Sequence, residues 1–241
     1  MENQFLRTEL LIGKENVEKL QSSKVAIFGI GGVGSFVVEA LARAGIENFV
    51  LIDNDVVDIT NINRQIIATH STIGKAKVEI GKERILDINP NAKVQALQIY
   101  FDKNSKEILD KSIDYVIDCI DTVSSKIELI VKAKNLQIPI ISCMGTGNKL
   151  DPSKFEITDI YKTNICPLAK VIRKELKKRE IKELKVLYSK EEPIKLQKSN
   201  NEKEVLKNLT LKKQVPGSIS FVPSVAGLII AGEVIKDLIN I

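Results

Sequence analysis

The sequence predicts an α/β fold: a doubly wound, mostly parallel sheet with helices on both faces, plus a C-terminal extension. Three observations lead to it. Short β-branched runs alternate with stretches of helical period as far as Cys143, the pattern of successive strand–helix–strand units. The first run, Lys24 to Phe28 (KVAIF), leads directly into Gly29-Ile30-Gly31-Gly32-Val33-Gly34. An acid, Asp53, ends the second run 24 residues beyond Gly29. Strand, glycine turn, helix and acid in this order make a Rossmann-like nucleotide fingerprint.

The elements follow in order. After the glycines, a helix runs from Ser35 to about Ala44, its inner face carrying Val37, Val38, Leu41 and Ala44, and Gly45 stops it. Phe49 to Ile52 is the second strand. A loop rich in Asp and Asn precedes a helix from about Gly74 to Leu86, closed by Asn89-Pro90-Asn91. Val94 to Ile99, Tyr115 to Cys119 and Pro139 to Cys143 read as strands, with a helix from Ser124 to about Asn135 between the last two. Beyond Gly147 the alternation lapses. Phe155 to Ile160 reads as an edge strand, and Cys166 to Arg179 as an amphipathic helix with Pro167 in its first turn. Lys190 to Lys213 is polar and lysine-rich, so a mobile loop is expected. Val222 to Ile239 is an apolar C-terminal helix. Residues 1–241 are expected to form a single domain, with 160–215 inserted in it as a basic helix and mobile loop.

Hydrophobic residues make up 44% of the chain and charged residues 28%, an ordinary balance for a globular protein. No apolar run approaches the roughly 18 residues of a membrane span, and Met1-Glu2-Asn3-Gln4 has no export pattern. A cytoplasmic protein with no membrane contact is expected. Its three cysteines, Cys119, Cys143 and Cys166, form no C-x-x-C pair, which argues against a zinc knuckle and suits a reducing compartment. The net charge of +5 is uneven: Lys170 to Lys213 holds 15 basic and 7 acidic residues, and the rest of the chain is net −3. Such a local excess is either a footprint for a polyanion or a solvated lysine-rich surface.

The chemistry concentrates at one sheet edge. Gly29 permits the turn, Gly31 admits phosphate to the backbone, Gly34 lets the helix pack on the strand, and the helix N-terminus attracts an anion. Asp53 is placed to accept hydrogen bonds from ribose hydroxyls. Asn61 and Arg64 follow at the same edge, Lys77 opens the next helix and Asp121 lies just past the fourth strand. Two cations suit a triphosphate, whose departing pyrophosphate gathers charge. An adjacent acid can hold Mg²⁺ on phosphate oxygens. A dinucleotide needs neither, and no G-x-x-x-x-G-K-[ST] loop occurs.

The run GIGGVG, LIDNDVVDITNINRQ, GKAKVE and DCIDT resembles the ThiF-like adenylating family, from roughly Arg7 to Thr146. The resemblance implies ATP as substrate with Mg²⁺. Gly31 and Gly32 would line the phosphate loop, Asp53 would hold the ribose, and Asn61, Arg64 and Lys77 would contact phosphates. Asp121 would work with Mg²⁺ near the α-phosphate, with Arg64 and Lys77 as its catalytic companions. Arg7, in FLRTELLIG, would reach the triphosphate of a neighbouring subunit, which implies a homodimer. The segments CMGTGNKLDP, TDIYKTNICPLAKVIRKELKKR and PGSISFVPSVAGLIIAGEVIKDL resemble the branch that closes a ring on N6-threonylcarbamoyladenosine in tRNA. That branch implies tRNA as partner, held by Arg173, Lys174, Lys177 and Lys178. It leaves room for a monovalent cation and a sulfur-relay partner.

Three alternatives stand beside this reading. One is adenylation of a ubiquitin-like or sulfur-carrier protein, with Cys166 as thioester nucleophile at a helix N-terminus; family members of that kind commonly carry two C-x-x-C pairs. The second is an NAD-dependent oxidoreductase. The third is a tRNA-binding protein with a regulatory nucleotide pocket. Cys119 and Cys143 are expected to be small core residues, and His70 a surface residue.

Overall fold

The computed structural model describes residues 3–105, 108–195 and 216–241. Two short helices, α1 (Leu6–Ile12) and α2 (Lys14–Ser22), precede the first strand. Then come β1 (Lys24–Phe28), α3 (Gly34–Ala44), β2 (Asn48–Ile52), α4 (Lys77–Ile88), β3 (Lys93–Leu97), β4 (Tyr115–Asp118), α5 (Val123–Leu136) and β5 (Ile140–Cys143). The C-terminal part adds β6 (Phe155–Asp159), α6 (Pro167–Lys178), β7 (Lys185–Ser189) and α7 (Phe221–Ile239). The seven strands form one sheet in the order β3-β2-β1-β4-β5-β7-β6. Only β6 runs antiparallel, on β7 at the edge. The order reverses between β1 and β4, which opens a crevice at their carboxyl ends.

Alternation along the central strands divides the core in two. Val25, Ile27, Leu51 and Ile117 point to the face covered by α2, α3, α4 and α7. Ala26, Phe28, Val50 and Val116 point to the face covered by α5 and α6. Helix α7 is tied to the sheet by polar contacts as well: the Tyr115 hydroxyl donates to Asp237 (2.5 Å), and Lys185 pairs with Asp237 (2.7 Å) and Glu233 (2.9 Å).

Three features differ from the sequence reading. Helix α4 starts at Lys77 rather than Gly74, because Gly74 has a φ of +82° and Val56 and Ala76 pair as an antiparallel bridge. The stretch 160–215, expected as basic helix and loop, also contains strand β7, which lies inside the sheet between β5 and β6. Helices α1 and α2 were not anticipated from periodicity. Of the expected loop from Lys190 to Lys213, residues 190–195 are irregular and 196–213 lie outside the described residues. Among the described residues no helix is long and apolar enough to cross a membrane.

Candidate active site

The crevice is built on the turn between β1 and α3. Gly29 has a φ of +86°, and a side-chain carbon there would sit 2.7 Å from the Cys119 carbonyl oxygen, so only glycine fits. At Gly34 the same carbon would collide with the Gly29 carbonyl oxygen. These two glycines let the loop fold tightly against the end of β4. Gly29, Gly31 and Gly32 line a cavity of about 610 Å³ above it. Gly34 is not on the cavity wall; it sets the approach of α3.

Asp53, at the end of β2, also lines the cavity. Its carboxylate accepts from the backbone N–H of Ile30 (2.6 Å) and of Asp55 (2.8 Å). The acid therefore staples the glycine loop to the next loop, and each oxygen keeps a lone pair for a hydroxyl. Burial pushes its carboxyl above the usual range, against the pull of Lys77 and of those two N–H groups.

Asn61, Arg64, Lys77 and Asp121 line the same cavity, so the structure brings together the residues the sequence singled out there. Asn61 is buried, and its side-chain oxygen accepts from the Asp58 N–H (3.1 Å), fixing the turn that carries Arg64. One guanidinium nitrogen of Arg64 donates to the Thr60 carbonyl and to the Asn63 side chain, both at 2.9 Å. Its other nitrogens make no hydrogen bond among the described residues. Lys77 opens α4 with a buried side chain and pairs with Asp55 at 2.7 Å. A phosphate here would share Lys77 with that acid. Asp121 is exposed and, among the described residues, accepts only a long contact from the Thr122 hydroxyl (3.4 Å).

Several wall residues escaped the sequence reading. Gln65, next to Arg64, is buried in the cavity wall, and its carbonyl oxygen has no partner among the described residues. Tyr100, in the loop after β3, reaches across to α5, where Ser125 donates to its hydroxyl (3.2 Å). Beneath the floor, Lys126 and Asp118 form an ion pair with no solvent exposure (2.8 Å). Ser142 donates to the same Asp118 oxygen (2.5 Å), and Lys126 donates to the Cys143 carbonyl (3.0 Å). This network joins the ends of β4 and β5, from which the turn bearing Asp121 departs. The adjacency of Gln65 to Arg64 was visible in sequence; the pairing of Lys126 was not.

The cysteines sort by position. Cys143 is buried and its thiol is pushed up to about 12, chiefly by burial. Cys119 is raised for the same reason. Cys143 ends β5 as a buried core residue, as expected, whereas Cys119 lies one residue past β4 and is only half-buried; both line the cavity. Cys166 precedes α6 and is 3% exposed, so its sulfur is not presented to a macromolecular acyl group. His70 begins a short 3-10 turn at the surface.

Two groups lie away from the cavity. Arg7 is exposed on α1, a helix that buries none of its side chains and leaves Leu10 and Leu11 more than three-quarters exposed. Of the α6 cations, Arg173 is bound to the Thr163 carbonyl (2.7 Å) and hydroxyl. Lys178 pairs with Glu175 (2.7 Å), and Lys177 lies over the Tyr161 ring. Lys174 is exposed without a partner among the described residues. Arg173 is thus partly structural, and Lys174 is the readiest phosphate ligand of the four.

Sheet order, the glycine turn, the acid after β2 and the cations gathered beside it define a doubly wound α/β protein with a crevice at the switch point. Residues 5–241 match the ThiF family, and the chain belongs to it. It is 47% identical to the tRNA threonylcarbamoyladenosine dehydratase of Bacillus subtilis, across 100% of this chain and 96% of that one. Its structure is similar to that of the Escherichia coli tRNA N6-threonylcarbamoyladenosine dehydratase, TcdA, in complex with AMP. That likeness has a TM-score of 0.88 at 30% identity and covers 98% and 94% of the two chains. The complex of the same enzyme with ATP gives a TM-score of 0.86 at the same identity.

Proposed function

We propose that this chain is an ATP-dependent adenylating enzyme that cyclises N6-threonylcarbamoyladenosine in tRNA. The observation that carries this reading is the gathering of Arg64, Lys77 and Asp121 around the cavity over Gly29, in a chain closely similar to dehydratases of that nucleoside. The triphosphate lies on the glycine loop, with the ribose on Asp53. Asn61, Arg64 and Lys77 face the phosphates. A threonyl carboxylate oxygen attacks the α-phosphorus and the bond to pyrophosphate breaks; Arg64 and Lys77 neutralise the charge that grows on the leaving group. The carbamoyl group of the same side chain then attacks the acyl-adenylate, loses a proton and expels AMP. Nucleophile and electrophile are tethered, so effective molarity is high and no enzyme nucleophile is required. The buried Cys166 accords with that economy and counts against the sulfur-carrier alternative.

One exposed carboxylate beside a phosphate site suits Mg²⁺, which keeps several waters and takes few protein ligands. Asp121 would hold it, and the ion would offset charge on the phosphate oxygens. The α6 lysines, Lys174 foremost, would bind tRNA phosphates without reading sequence. The protein would act in the cytoplasm as a homodimer in which Arg7 completes the partner's site. Neither a monovalent cation nor a sulfur-relay partner enters this reading.

The test is release of pyrophosphate and AMP from Mg·ATP, comparing bulk tRNA carrying the threonylcarbamoyl group with tRNA lacking it. Turnover is expected only with the modified tRNA and should vanish in Asp121→Ala. Equal release with both tRNAs, or none with either, would remove the assignment.

A further inference from the structure

A second cavity, of about 760 Å³, runs between α5 and α6 and meets the nucleotide crevice at Asp121 and Thr122. The proposed function assigns the crevice residues to a nucleotide, and apart from Asp121 and Thr122 none of them lines this groove. Its walls are Val123, Ile127 and Glu128 from α5, Val171 and Glu175 from α6, and Arg179 just past the end of α6. We infer that it is the acceptor subsite: it holds the modified adenosine of the tRNA, base and carbamoyl arm, so that the threonyl carboxylate reaches past Asp121 to the α-phosphate. This rests on the proposed reaction and names where its second substrate sits.

Three observations favour a nucleoside there. First, the groove is continuous with the crevice through Asp121 and Thr122, which line both, so an arm leaving the groove enters the crevice at Asp121. Second, the apolar and polar lining match such a molecule. Val171 is 46% exposed on a helix whose other outward residues are almost all charged, and with Ile127 it offers an apolar bed for a base. Glu128, half-buried on the opposite wall, can accept hydrogen bonds from the N–H groups of a substituted urea. Asp121 and Glu128 would repel a phosphate, and Arg179, the cation lining the groove, is already paired with Glu175 (2.8 Å), which argues against the sugar–phosphate backbone as its occupant. Third, cations flank it. Val171 and Glu175 lie on one stripe of α6, while Lys170, Lys174 and Lys177 lie on the next, about 100° round the helix. Backbone phosphates would rest on the lysine stripe while one base, turned out of the loop, enters the groove.

The test uses the full-length protein with modified tRNA. Val171→Trp fills the groove at an exposed position and should raise the KM for modified tRNA about tenfold, equivalent to about 1.4 kcal/mol, within the range of one base stack. Affinity for ATP and for unmodified tRNA should not change. Free N6-threonylcarbamoyladenosine nucleoside should compete with modified tRNA in the wild-type enzyme, because the groove needs no phosphates. An unchanged KM in Val171→Trp, or no competition by the nucleoside in the wild type, overturns the subsite even if turnover stands. Loss of ATP binding in the variant leaves the nucleoside competition to decide. Absence of wild-type turnover with modified tRNA removes the reaction and the subsite together.

Discussion

Lys126 is a lysine without solvent exposure, held by Asp118, Ser142 and the Cys143 carbonyl. Taking one partner of such a pair away strands a charge in the core, at a typical cost of about 3–5 kcal/mol. Lys126→Met should therefore lower unfolding stability in urea by that amount, and adding Asp118→Asn should restore part of it. A loss below about 1 kcal/mol would mean that water reaches Asp118. Residues of the crevice itself divide by how they were specified. Gly29, Asp53, Asn61, Arg64, Lys77 and Asp121 were legible because each stands at a fixed offset from a strand end. Asp55, Gln65 and Lys126 were not, because their meaning comes from burial and pairing. Lys77 illustrates the difference: sequence marked a cation, and the fold supplied the acid, Asp55, that pairs with it at 2.7 Å.

Among the elements, α3 and α4 are clasped by Glu39, which pairs with Arg43 (2.7 Å) and with Arg84. Burial is the largest single influence on this carboxyl and raises it, yet the two arginines together hold it below the usual glutamate range. A folded value below the unfolded one adds stability above the unfolded pKa, and that stability is lost as pH falls through the folded value. Thermal melts of Glu39→Gln should thus be less stable at neutral pH and show a flatter acid limb than wild type. An identical acid limb would assign the slope to other carboxylates. Strand β7 shows where element-level reading stopped. Its apolar core, Val186-Leu187-Tyr188, is three residues long and lies between lysine-rich stretches, so no periodicity announces it. Its place between β5 and β6 is decided by pairing. Helix α1 fully buries none of its residues and packs only Ile12 against the core, so it carries no inward stripe to read.

For the whole molecule, exposed leucines on α1 beside Arg7 bear on assembly. If Arg7 serves the partner's triphosphate, Arg7→Ala and Asp121→Ala should each be inactive alone. After subunit exchange, mixed dimers would contain one intact site, giving about a quarter of wild-type turnover for statistical mixing. Full activity of Arg7→Ala alone would place Arg7 outside the reaction, and inactivity without recovery on mixing would place it in its own subunit's site. The sequence by itself determined the parallel core through β5, the glycine turn, the acid after β2 and the family. The first three depend on periodicity and short-range spacing, which are properties of the chain; the family rests on the resemblance of whole motif blocks and on the match over residues 5–241. Tertiary structure decided the placement of β7 in the sheet, the buried pair under the floor, the burial of Cys166 and the groove opening beside Asp121. Each of these joins residues distant in sequence, and their positions follow only when strands pair and helices pack across the sheet.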